Sequence, residues 1–222
     1  MTHHASRMQP HRLVRLGLGI IAASAVFGTA VAPAAFAQTL PGQSTSVAAQ
    51  TDTGLSPTTV GQTTSVQALT LAETEGPYYK TNSPETSSLV QPGLQGTVLT
   101  LTGQVLDQGG QPVAHALLDF WQADAGGAYD NTGYTLRGHQ YTDANGSYTV
   151  TTVVPGLYPG RTRHIHVKVQ APSSSVLTTQ LFFPGEAGNS RDSIFDPSLL
   201  LNITNNADGT QSATFNFVVA TA

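Results

Sequence analysis

The apolar residues of this chain come in short runs, each cut off by glycine, proline or asparagine, and no window carries a long amphipathic helix. Val98–Leu106 alternates, with Leu99, Leu101, Gly103 and Val105 on one face and mostly polar residues on the other. Further runs follow at 116–123, 146–154, His164–Gln170 and 177–183, and near the end Ala213, Phe215, Phe217 and Val219 alternate with polar partners. Turn signals stand between them, among them Asp143-Ala-Asn-Gly, Pro155-Gly156, Pro159-Gly160 and Pro184-Gly185. Short strands with frequent turns predict an all-β sandwich or barrel.

The N-terminal part has a different texture. Residues 1–15 carry Arg7, Arg12 and Arg15, 16–32 are almost wholly apolar or small, and Ala35-Phe-Ala37 gives a small-x-small pattern before Gln38. That order predicts a secretory signal peptide over 1–37, cleaved after Ala37, and an exported protein with no stable membrane anchor. Residues 38–68 are rich in Ser, Thr, Gln, Gly and Ala, with Asp52 as the single charge, and read as a disordered linker. Residues 69–222 then form one domain of ordinary size. Losing the leader removes three of nine basic residues and none of thirteen acids, which leaves a charge near -7. Nothing basic remains to bind nucleic acid or an anionic membrane surface. With no cysteine the fold has no disulfides, so it must rest on its core, with a metal as one further brace.

The chemistry concentrates in Tyr158-Pro-Gly-Arg-Thr-Arg-His-Ile-His-Val-Lys-Val. A strand sends alternate side chains to opposite faces, so His164 and His166 point one way while Ile165, Val167 and Val169 point into a core. Two imidazoles side by side are half of a metal site, and Tyr158 and Tyr129 are candidates for the other half. Zinc sites favour His with Cys, Asp or Glu. Phenolate is a hard anionic donor, and because the tyrosine pKa is about 10, ligation at neutral pH needs a strong Lewis acid such as ferric iron. A lone strand histidine is usually exposed or satisfied in a network. The company raises the weight here: Tyr158 on a Pro-Gly turn, Arg161 three before His164, and Gln180 on the next strand. His115 and His139 read as structural or surface, Arg163 as solvent-facing or a support behind the ligands, Trp121 and Tyr148 as core, and Asp124 and Asp143 as turn-formers.

Five stretches add detail: Thr74-Glu-Gly-Pro-Tyr-Tyr79; Gly103-Gln-Val-Leu-Asp with Gly110-Gln-Pro-Val-Ala114; Trp121-Gln-Ala-Asp-Ala-Gly-Gly-Ala-Tyr129-Asp; Arg137-Gly-His-Gln-Tyr-Thr-Asp-Ala-Asn-Gly-Ser-Tyr148; and Pro155-Gly-Leu-Tyr-Pro-Gly-Arg-Thr-Arg-His-Ile-His166. In these blocks and their order the chain resembles the intradiol ring-cleavage dioxygenases, which open catechols between the two hydroxyl-bearing carbons with O2. The last block is highly specific; the G-x-V-x-D block is shared by many prealbumin-like β-domains. The resemblance implies a prealbumin-like β-sandwich of mostly antiparallel strands, with the active site built from loops and strand ends. It implies a non-haem Fe(III) centre held by Tyr129, Tyr158, His164 and His166, Tyr158 leaving when substrate binds. Arg161 would lie over the bound ring, Gln180 would orient substrate and water, and Tyr78 would stand against the ring. The product would be a cis,cis-muconate-type acid.

The best-known members are cytosolic, and the catechol type builds a dimer through a helical N-terminal region. Here a leader and a polar linker take that place, so the chain resembles the exported, single-sandwich branch. Plant phenolics are then the expected substrate pool, and a homodimer is compatible with the reading. The alternative is a secreted β-sandwich binding module for carbohydrate or cell wall, which would have no reason to keep four ligands, the arginine and the glutamine together. A zinc hydrolase would lack a general base beside the ligands and leave both tyrosines without a role.

Overall fold

The computed structural model describes residues 66–222, so the leader expected over 1–37 and nearly all of the linker expected over 38–68 lie outside the described residues. Within them, β1 (Val98–Leu106), β4 (Ser147–Val153), β7 (Asn202–Asn205), β8 (Gln211–Thr214) and β9 (Phe217–Val218) form one sheet. Its order is β4-β1-β8-β7, with β9 also against β1. The second sheet has the order β3-β2-β5-β6, from β2 (Leu117–Trp121), β3 (Arg137–Tyr141), β5 (His164–Gln170) and β6 (Leu177–Phe182). Pairing is antiparallel except where β8 and β9 run parallel to β1. Among the described residues there is no α-helix, only a short 3-10 turn at Pro197–Leu199. The all-β expectation holds.

The core takes one face from each sheet. Leu99, Leu101 and Val105 of β1 and Val150 of β4 meet Leu118 and Phe120 of β2, Ile165, Val167 and Val169 of β5, and Leu181 of β6. Each such side chain, fully buried, contributes about 1.5–3 kcal/mol relative to exposure. Because alternation puts the odd residues of β5 into this core, His164 and His166 must lie on the other face of the same strand.

Two strands differ from the sequence expectation. β3 is the polar string Arg-Gly-His-Gln-Tyr, which has no apolar alternation to announce it, and β7 is a short polar strand at the sheet edge. The alternating C-terminal run also divides into two. At the break the Phe215 N–H still donates to Thr102 O, but the Gln104 N–H is met by the Asn216 side chain instead of a backbone carbonyl.

Gly103 makes that break possible. A Cβ built there would lie 1.7 Å from the Phe215 carbonyl oxygen, a backbone atom with no freedom to step aside. Gly103→Ala is therefore expected to destabilise the domain by at least about 1–3 kcal/mol, a drop of several degrees in melting temperature. A thermal melt superimposable on that of the parent protein would contradict this placement.

Candidate active site

The face of β5 opposite the core is itself closed off from water: His164 is 5% exposed and His166 3%. Register explains the cover. Trp121 of β2 pairs with His166, and His166 pairs with Gln180 of β6, so one row of side chains crosses the sheet on this face. The Trp121 ring stacks on the His166 ring at 4.8 Å and 8°. Trp121, expected in the core, is buried but on the histidine side, and it belongs to the wall of the site.

The segment before β1 forms the lid over this row. Gly76, at φ +70°, lets the chain pass so close that a Cβ there would be 3.3 Å from His166 Cε1. The Gln180 amide donates to Thr74 O at 2.9 Å and ties the segment down. Tyr78 and Tyr79 are thereby delivered to the site. Tyr79 packs on Trp121 at 4.8 Å and donates to Asp119.

Three of the four expected ligand atoms meet directly. His164 Nε2 lies 3.1 Å from His166 Nε2 and 3.3 Å from Tyr129 Oη. Thr162 O can only accept, so its 2.6 Å bond to His164 Nδ1 places the ring proton there and leaves Nε2 bare. Tyr158 stands edge-on to Tyr129, 5.9 Å between centroids, with its hydroxyl 2.8 Å from that of Tyr78. Tyr78 lies flat on Tyr129 at 4.4 Å.

Burial sets the charge states of this cluster. Desolvation holds His164 down at about 4 and His166 well below its ordinary value, so both rings are neutral at neutral pH. It also pushes the Tyr129 phenol up to about 12, against the pull of Arg161. The hydrogen bond to Tyr158 raises Tyr78. Among the described residues no three His, Cys, Asp or Glu side chains gather to hold a metal. Any metal here would need the tyrosines.

The residues expected to handle substrate also converge. Arg161 Nη2 donates to Gln180 Oε1 at 2.7 Å, and its Nε to Asp192 Oδ2 at 2.9 Å. Asp192 was not singled out from the sequence. Burial alone would raise it, but the N–H groups of Thr162 and Ile194 and the Arg161 charge outweigh that and hold it low. Asp192 thus anchors both the Arg161 side chain and the backbone just before the histidines, since it accepts the Thr162 N–H at 2.8 Å.

The remaining side chains have structural duties. Arg163 pairs with Glu186 and donates to Pro155 O. His139 bonds Ser83, His115 is exposed, and Tyr148 is core with its hydroxyl on Phe215 O. Asp124 and Asp143 accept N–H groups of their own turns.

A family model described as Dioxygenase matches residues 74–221, a span that contains every residue of this cluster. The protocatechuate 3,4-dioxygenase beta chain of Burkholderia cepacia is 36% identical over 118 residues, 45% of this chain and 50% of that one. The chain belongs to the intradiol ring-cleavage dioxygenase family. Two solved structures of dioxygenases extend the likeness. One is the dioxygenase domain of a dioxygenase–carbohydrate-binding protein fusion from Streptomyces sp. SirexAA-E: 54% identical, TM-score 0.68, covering 70% of this chain and 100% of that one. The other is the 3-chlorocatechol 1,2-dioxygenase of Rhodococcus opacus 1CP, at 30% identity and TM-score 0.65, covering 69% of this chain and 73% of that one. The chain spans about half the length of the relatives it matches in sequence, 50% and 54% for the first two.

The neutral, buried histidines give this family member a pH signature in its metal-free form. With His164 at about 4 when folded and about 6.5 when unfolded, the unfolded chain alone takes up the proton in between. Stability is fully present above the unfolded value and falls as pH drops toward the folded one. The urea midpoint is expected to fall from pH 7 to pH 4.5, and to fall less in His164→Asn. Equal slopes in the two proteins would contradict the burial of a neutral ring.

Proposed function

We propose that this chain is an exported, non-haem Fe(III) intradiol dioxygenase that cleaves a catechol between its hydroxyl-bearing carbons with O2, giving a cis,cis-muconate-type product. The carrying observation is that His166 Nε2 and Tyr129 Oη both approach His164 Nε2, at 3.1 and 3.3 Å, with Tyr158 beside them. In the chain alone, the bare His164 Nε2 is a single lone pair approached by two neighbouring groups. A cation shared by all of them would use every lone pair present. A phenol pushed up to about 12 gives up its proton near neutral pH only to a strong Lewis acid, which favours ferric iron over zinc.

Tyr129, Tyr158, His164 and His166 would hold the iron, which would supply Lewis acidity toward the catechol and draw electron density from its ring. The other steps fall to the chain. Tyr158, on its Pro-Gly turn, would accept a catechol proton at Oη, with the Tyr78 hydroxyl 2.8 Å away to share it. Arg161 is held in place by Asp192 and Gln180, so its charge could meet negative charge developing on the ketonised ring without reorganising. Trp121 and the Gly76 segment exclude water behind the histidines.

A cleft of about 330 Å³ opens beside Arg161, lined by Leu157, Gly160, Glu186, Arg191 and Asp192. It is the entry we assign to the catechol. A larger cavity of about 500 Å³, lined by His115, Leu117, Tyr141 and Gln170, lies at the far end of β2 and β5; neither space is lined by Tyr129, Tyr158, His164 or His166, and of the two the cleft is the one that Arg161 lines. The leader favours an extracytoplasmic setting, and the likeness to a dioxygenase domain fused to a carbohydrate-binding protein supports plant phenolics as the substrate pool. Among the described residues no helix is long and apolar enough to cross a membrane.

Purified protein given ferric iron is expected to turn red-brown and to consume one O2 per catechol, protocatechuate or hydroxyquinol opened. A folded binding module would stay colourless. Tyr158→Phe and His164→Ala are expected to lose colour or at least about 100-fold in activity while keeping the β-rich circular dichroism spectrum. Full turnover in either would contradict the ligand assignment. Asp192→Asn should lower kcat/KM about 10–100-fold through the loss of a charge-assisted bond, with colour retained.

A further inference from the structure

Arg137, the first residue of β3, has no task in the reaction described above. It is only 2% exposed, yet among the described residues no carboxylate forms an ion pair with it. Its Nε and Nη2 both donate to one atom, the carbonyl oxygen of Asp130, at 3.2 and 3.0 Å, and Nη1 is buried without a partner. The Asp130 carboxylate is the nearest candidate counter-ion, but it is taken up by its own loop. Oδ1 accepts from the Thr132 N–H and hydroxyl and the Gly133 N–H, and Oδ2 from the Thr135 N–H. A buried guanidinium without a carboxylate partner is costly, so this position needs a cause.

Two features supply it. Asp130 follows Tyr129 directly, so the guanidinium fork clamps the Asp130–Asn131 peptide unit, one residue beyond a proposed ligand. In the sheet Arg137 pairs with Trp121 and Trp121 with His166, which puts the fork in the ligand row. Its charge acts on the Tyr129 phenol as well as on Asp130. We propose that Arg137 is a positioning residue for Tyr129, clamping the ligand loop through the Asp130 carbonyl while its unpaired charge offsets that of the metal-bound phenolate oxygen. This rests on the metal reading given under Proposed function.

Two variants separate the clamp from the charge. R137Q keeps a donor but removes the cation; R137K keeps the cation but loses the fork. Taking a cation away from a phenolate raises its electrons in energy, so its transition to ferric iron needs less energy. The visible band of R137Q is expected to move to longer wavelength, and the iron to be held about 10–100-fold more weakly. R137K should keep the band near the parent position. In the metal-free proteins, amide hydrogens of residues 129–135 should exchange at least about tenfold faster in both variants, with β1 and β4 unchanged. If R137Q merely melts at lower temperature, with band and exchange as in the parent, Arg137 only fills space and the proposal falls. A parent protein that takes no colour from ferric iron would instead overturn the metal reading and the charge half of this proposal, and the exchange rates would then decide the clamp.

Discussion

Burial of two uncharged imidazoles on the outward face of β5 is the constraint from which the rest of this molecule follows. Burial favours the neutral form of each ring, and their Nε2 atoms are 3.1 Å apart, with the Tyr129 oxygen 3.3 Å from that of His164. A polar cluster sealed from water is stable only if its lone pairs and protons are matched, and here both His166 Nε2 and the Tyr129 hydroxyl approach the single lone pair of His164 Nε2. The surrounding features, from the Trp121 stack to the Gly76 crossing, keep water from satisfying the cluster instead.

The sandwich provides that burial through register. A slip of one residue between β2 and β5 would exchange faces for the whole strand, sending the histidines into the core and Ile165, Val167 and Val169 to the site. The core residues of β5 therefore fix the chemistry as firmly as the histidines do. The same row carries Gln180 on one side and Arg137 on the other. Loops then add what strands cannot: Tyr158 from a Pro-Gly turn, Tyr129 from the loop after β2, and Tyr78 from the segment tied to Gln180.

Much of this was legible in the sequence because it rests on local periodicity. The H-x-H spacing gave the shared face, and β1 runs over the residues its alternation predicts. What was not legible depends on contacts far apart in sequence. Asp192 meets Arg161 across 31 residues, and no local pattern distinguishes it from a turn aspartate. Trp121 reads as core from its sequence because burial and apolar character are the same on both faces of a strand covered on both sides. β3 leaves no signal in the sequence because Arg137, Gly138 and His139 carry site and backbone duties in place of apolar alternation. Tyr78 could be placed against the site by motif, but its stacking on Tyr129 and its bond to Tyr158 emerge only from the three-dimensional path of residues 74–79.

The most direct measurement is an anomalous-difference map from a crystal of the iron-loaded protein. A single iron peak is expected within bonding distance of Tyr129 Oη, Tyr158 Oη and the Nε2 atoms of His164 and His166. Iron bound elsewhere, or those four side chains left without a shared peak, would contradict the reading of this buried cluster as a metal centre.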